Sequence, residues 1–102
     1  MDILARIKRL VLTGKVIFTL KAQLEIEADQ LTEDLVCEAI LNAPAIAKIQ
    51  RSRKPESGKR EILYVIKGLT YDGLLIYTKG KFKTIGQQEV FYVVISSKRS
   101  TD

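Results

Sequence analysis

Residues Glu61 to Lys79 read E-I-L-Y-V-I-K-G-L-T-Y-D-G-L-L-I-Y-T-K, and this stretch decides the fold. Two runs rich in Ile, Val, Leu and Tyr flank Asp72-Gly73, a dipeptide suited to a tight hairpin. A two-residue loop of type I′ at Asp72-Gly73 pairs Tyr71 with Leu74, Leu69 with Ile76 and Lys67 with Thr78. The alternate pairs are then Thr70 with Leu75, Gly68 with Tyr77 and Ile66 with Lys79. Side chains alternate across a strand, so this register sets Tyr64, Tyr77 and Lys79 on one face. Leu63, Val65, Leu69 and Ile76 fall on the other, which is the better core face.

Two more β segments flank the hairpin, at Ile46–Gln50 and Glu89–Ser96, with 80–86 expected as the turn between the last two strands. In the last strand Tyr92 and Lys98 are in phase. Before Pro44 the pattern is helical. Ile3, Leu4, Ile7, Leu10 and Val11 recur at helical spacing over about 2–13, with Asp2 as N-cap and Gly14 as the stop. Val16 to Phe18 is a short extended segment. A second helix over Leu20–Asp29 carries Leu20, Leu24 and Ala28 on one stripe. A third opens at Thr32, with Glu33 and Asp34 at the positive end of its dipole and Leu35, Val36, Ala39 and Ile40 as apolar members. The expectation is one α+β domain over 1–102, with N-terminal helices packed on one face of a three- to four-stranded antiparallel sheet. Residues 1–43 are mainly helical, 44–98 form a β-meander with a basic loop at 51–60, and 99–102 are a tail.

Composition narrows the chemistry. With 102 residues, 46% hydrophobic and 28% charged, the chain supports one core and the balance of a soluble protein. Arg6, Lys8 and Arg9 interrupt the first apolar run, so neither a membrane span nor an export signal is expected, and the location expected is cytoplasmic. Cys37 is the only cysteine; in L-V-C-E-A-I-L it reads as a small apolar residue of a helix. There is no histidine, which removes histidine acid–base catalysis and the usual ligand for zinc, copper or iron. No metal or cofactor is expected. Any chemistry runs on Lys, Arg, Tyr, Glu or Asp.

Charge is distributed unevenly. Residues 1–50 carry six bases and seven acids, whereas 51–102 carry eleven and five. The segment R-S-R-K-P-E-S-G-K-R at 51–60 is the densest basic run, and Pro55, Ser57 and Gly58 oppose regular structure there. Cations that meet phosphates release counterions, so Arg51, Arg53, Lys54, Lys59 and Arg60, together with Tyr64, are the expected nucleic-acid contacts. A solvated linker is the plain alternative for this segment, and a thin sheet's second side is the plain alternative for the tyrosines. Between residues 22 and 47 there are six acids and no base. They read either as solvated outer faces or as surfaces turned away from a bound polyanion.

Several stretches carry a resemblance. I-K-R-L-V-L-T-G-K-V (7–16) resembles the N-terminal helix and following strand of MqsR-type toxins. V-I-S-S-K-R-S-T (94–101) is similar to the end of BrnT-type toxins. F-T-L-K-A-Q-L-E (18–25) and L-T-E-D-L-V-C-E-A-I-L-N-A (31–43) resemble an uncharacterised bacterial domain family that often has a histidine where this chain has Lys21 or Gln23. These groups belong to or lie near the RelE/ParE superfamily of small basic toxins. The resemblance implies a compact α+β fold, metal-independent endoribonuclease action on mRNA, and neutralisation by a cognate antitoxin. Lys98 and Arg99 match the basic pair of the BrnT-like ending, and Tyr77 and Lys79 match a Tyr-x-Lys of the MqsR-like strand. On that implication Lys98, Arg99, Lys79 and Arg60 stabilise charge on phosphorus, while Tyr77 or Glu61 moves protons. An inactive relative, a non-catalytic nucleic-acid-binding module, and a protein-interaction domain docking an acidic partner on its first helix or a strand edge are the alternatives.

Overall fold

The computed structural model describes residues 2–53 and 60–101. Helix α1 spans Ile3–Leu12, strand β1 Val16–Phe18, α2 Leu20–Ala28 and α3 Glu33–Asn42. Four strands follow: β2 Ile46–Arg53, β3 Arg60–Leu69, β4 Leu75–Ile85 and β5 Glu89–Arg99. Each helix starts on a side-chain cap, with the Asp2, Thr19 and Thr32 oxygens accepting from the amides of Ala5, Ala22 and Leu35. α1 ends as expected at Gly14, whose φ of 81° lets the Lys15 amide turn back to the Leu10 carbonyl at 2.8 Å. α2 ends in the same motif but with Gln30 at φ 58°, and the Leu31 amide reaches the Ile26 carbonyl at 2.9 Å. Lys8 ties α1 to α3 by donating to the Ala43 carbonyl at the negative end of α3.

The fold is α+β, but the sheet is larger than expected and mixed. Its five strands run in the order β1-β5-β4-β3-β2, with β1 parallel to β5 and the other neighbours antiparallel. The short segment Val16–Phe18 is the added strand, pairing Val16, Ile17 and Phe18 with Tyr92, Val93 and Val94. That pairing joins residues far apart in the chain, and no local pattern announces it.

The hairpin register also differs from the expected one. Thr70 and Leu74 close a three-residue loop: the Thr70 amide donates to Leu74 O at 2.9 Å and the Gly73 amide to Thr70 O at 3.0 Å. Gly73 takes φ 86°, while Gln30 is the only non-glycine with positive φ among the described residues. Asp72 therefore lacks the conformation a type I′ turn demands, and the connection is a type I turn followed by a left-handed glycine. The pairs become Leu69 with Leu75, Gly68 with Ile76, Lys67 with Tyr77 and Val65 with Lys79. A one-residue slip exchanges the faces. Tyr64 leaves the company of Tyr77 and Lys79, and Val65 joins them; Ile76 moves beneath the helices with Ile66 and Tyr64. Contact with α3 enforces this choice, because a Cβ on Gly68 would lie 1.8 Å from the Ala39 carbonyl oxygen.

Two further corrections concern the last hairpin. β4 continues through Ile85, so the expected turn at 80–86 is mostly strand and the turn occupies 86–88. Gly80 is not a break; a Cβ there would come within 2.5 Å of the Tyr92 ring. Lys79 pairs with Ser96 and Gly80 with Val94, so Ile95 is an extra residue on β5. The bulge puts Tyr92 on the helix side and Lys98 on the other, out of phase.

The core lies between the helices and one side of the sheet. Ile7, Val11, Ala22, Ile26, Val36, Ala39 and Ile40 meet Phe18, Tyr64, Ile66, Ile76, Tyr92 and Val94. α2 turns Ala22 and Ile26 inward, leaving Leu20 and Leu24 exposed by 70% and 57%. The reason is its position beside β5. Glu25 accepts from the Ser97 amide at 3.1 Å and from Ser96 Oγ at 2.9 Å, and Asp29 accepts from the Arg99 amide at 2.7 Å. Positions four apart on a helix rise about 6 Å, close to the roughly 6.8 Å between alternate strand residues, so two carboxylates serve successive outward amides of β5.

Candidate nucleic-acid interface

Among the described residues all three helices lie toward one side, and the other side of the sheet has no helix over it. Tyr77 lies at its centre, paired with Lys67 on β3 and Lys98 on β5. The Lys98 amine is 5.6 Å from the Tyr77 ring centroid, a cation–π contact. The next rung joins Lys48, Val65, Lys79 and Ser96 across four strands. Lys81 and Lys83 continue the alternation along β4, paired with Val93 and Phe91. Among the described residues, six lysines (48, 67, 79, 81, 83 and 98) thus share this face. Val65 and Val93 are 4% and 5% exposed with no helix above them. The aliphatic stems of neighbouring lysines are suited to that cover, keeping their amines in water.

Acids on this face are few and placed at one end. Glu61 forms an ion pair with Lys81 at 2.5 Å, and Glu89 sits at the final turn. The helix acids lie elsewhere, with Glu25 and Asp29 along the β5 rim, where Glu25 also meets the Ser96 hydroxyl of the lysine face. Besides Glu25 and Asp29, Glu38 accepts the Tyr71 amide at 2.5 Å. Three of the six acids between residues 22 and 47 therefore hold backbone groups of β5 or of the β3–β4 turn, rather than standing only as a solvated surface.

The residues expected from sequence divide between the two sides. Tyr77, Lys79 and Lys98 come together on the open face, with Glu61 at its end. Arg99 does not join Lys98: adjacent strand positions point oppositely, and its Nε donates to the Asp29 carbonyl at 3.0 Å. Arg51 pairs with Ile62, and Arg60 with the backbone of Arg53; Arg51 and Arg60 are in phase with Tyr64 and on the helix side. Arg51 and Arg60 are exposed there, away from Tyr77. Tyr64 is not a platform for a base. It is 7% exposed and packs edge-on against Phe82 at 5.6 Å, which in turn meets Tyr92 at 5.9 Å. Lys54 and Lys59 lie outside the described residues, as does most of the expected 51–60 loop.

Lys48, Lys67, Lys81, Lys83 and Phe91 are face residues that the sequence reading did not single out. For Lys79, Lys81 and Lys83 the signal was present as strict alternation in T-K-G-K-F-K-T, hidden because Gly80 resembled punctuation. Elsewhere the chemistry is sparse. Burial, followed by the charges of Asp34 and Glu33, pushes the Cys37 thiol up, which keeps it protonated and a poor nucleophile. No group of three metal-ligating side chains gathers among the described residues, and no helix there is long and apolar enough to cross a membrane. Comparison with protein-family models, curated proteins and solved structures finds no match.

Proposed function

We propose that this protein binds RNA on the open face of its sheet. The observation that carries the reading is Tyr77 set between Lys67 and Lys98, within a field of six lysines on a face that no helix covers. Amines clustered on one surface attract a polyanion and release its counterions. The acidic helices behind the sheet favour docking with the lysine face forward. The test is fluorescence anisotropy of a labelled RNA oligomer at several salt concentrations. Affinity should fall steeply with salt, and Lys79→Gln with Lys98→Gln should flatten that dependence by roughly 1.4 in log–log slope. Binding indifferent to salt, or unchanged in the double variant, would sink the reading.

A second reading, metal-independent mRNA cleavage, is favoured by the contact between Tyr77 and Lys98 with Lys79 one rung away. RNA supplies its own 2′-hydroxyl nucleophile; the protein must stabilise charge on phosphorus and move two protons. Lys79, Lys98 and Lys67 provide charge around one phenol. Glu61, tied to Lys81, and Arg99, turned to the helix side, are poorly placed to assist. On this reading an antitoxin partner covers the same face. Expression of the chain should arrest growth and cleave RNA in the presence of a chelator, and Tyr77→Phe should abolish both while preserving RNA affinity. Intact RNA after exposure to the unaltered protein would leave the binding function alone.

A further inference from the structure

We infer that the ligand of the open face is a single strand lying along β4, with a base stacked on Tyr77 and its phosphates on Lys79, Lys81 and Lys83. This rests on the RNA-binding reading and narrows its substrate class. Alternate residues of β4 place these three lysines about 6.8 Å apart. Stacked strands advance about 3.4 Å per phosphate, and unstacking lengthens that step toward the lysine spacing. From Tyr77 to Lys83 the row is about 20 Å long and spans roughly three to four extended nucleotides.

A duplex fits this surface poorly. A-form RNA buries its base faces and hides its major groove, so it is read by elements that reach across its minor groove. Among the described residues every lysine of this face lies within a strand, and no helix stands above the sheet to enter a groove. Tyr77 is useful only to a base already out of its stack. Lys98 now lies over the ring. Its exposed, flexible chain can yield the ring to a base and take the adjoining phosphate. Phe91, paired with Lys83, offers a second ring at the far end of the row.

The experiment compares a fluorescent oligouridine with a blunt RNA duplex of equal length, at the same salt, using the full chain. The single strand should bind at least about tenfold more tightly. Tyr77→Leu should weaken it about tenfold without changing the salt slope, because stacking is lost and phosphate contacts are kept. Tyr77→Phe should retain the affinity, which separates stacking from a hydroxyl role, and thermal melts check that both variants fold. Lys83→Gln should reduce the slope by about 0.7. Equal or tighter duplex binding, or a neutral Tyr77→Leu, overturns the single-strand assignment while a steep salt slope leaves the broader reading standing. No salt-sensitive binding of either RNA overturns both.

Discussion

The two sides of the sheet obey different rules. Beneath the helices, single atoms decide what fits: α3 crosses β3 where only Gly68 admits the Ala39 carbonyl, and β4 carries Gly80 where the Tyr92 ring lies. On the open side the residues around buried Val65 and Val93 are long and cationic. On the proposed function, stability and RNA affinity are written on opposite surfaces. Substitutions should therefore separate the two properties.

The largest stability effect is expected at Gly68→Ala, where the new methyl meets backbone rather than a movable side chain. Unfolding by denaturant should show a loss of roughly 3 kcal/mol or more. Gly80→Ala should cost roughly 1–3 kcal/mol, less because a ring can shift further than a carbonyl. Tyr92 supplies a test of the opposite sign. Its hydroxyl is fully buried with no partner among the described residues, so Tyr92→Phe should stabilise the fold by about 1 kcal/mol at neutral pH. Burial, with a smaller contribution from Tyr64, pushes the Tyr92 phenol well above its ordinary value of 10.0. The folded state thus holds this proton more tightly than the unfolded state. The corresponding stability is complete below about pH 10 and is lost as pH rises beyond it. Melts across that range should show an alkaline decline in the unaltered protein that Tyr92→Phe reduces.

Gln30→Gly should add roughly 1 kcal/mol, since a left-handed residue ends α2 and glycine adopts that conformation without a Cβ penalty. The smallest effect on stability belongs to the open face. Lys79→Gln with Lys98→Gln should move the unfolding midpoint by no more than about 0.5 kcal/mol in free energy. If that pair destabilises the protein as much as Gly80→Ala does, the contrast between the two sides is wrong.

What could be read from sequence follows the range of the interactions involved. Asp2, Gly14 and Thr32 signal helix ends through contacts a few residues long, and these boundaries match the structure closely. The hairpin was visible at Asp72-Gly73, but whether two or three residues form its loop depends on the backbone angle of Asp72, which the α3 contact at Gly68 decides from a distance. Grouping Tyr77 with Lys79 required only alternation within one strand. Adding Lys98 depended on a bulge at Ile95, and placing Lys48 and Lys67 beside them depended on the corrected register. The arginines of 51–60 stand out because they cluster in sequence, whereas the lysines cluster in space.

Glu25 and Asp29 have a consequence for assembly. Together with the three-residue β1, they leave one rim of the sheet with few amides to offer a newcomer, while β2 at the opposite rim pairs only with β3 among the described residues. A molecule extendable at a single margin cannot propagate as a fibre: two copies joined rim to rim exhaust each other, and growth halts at the pair.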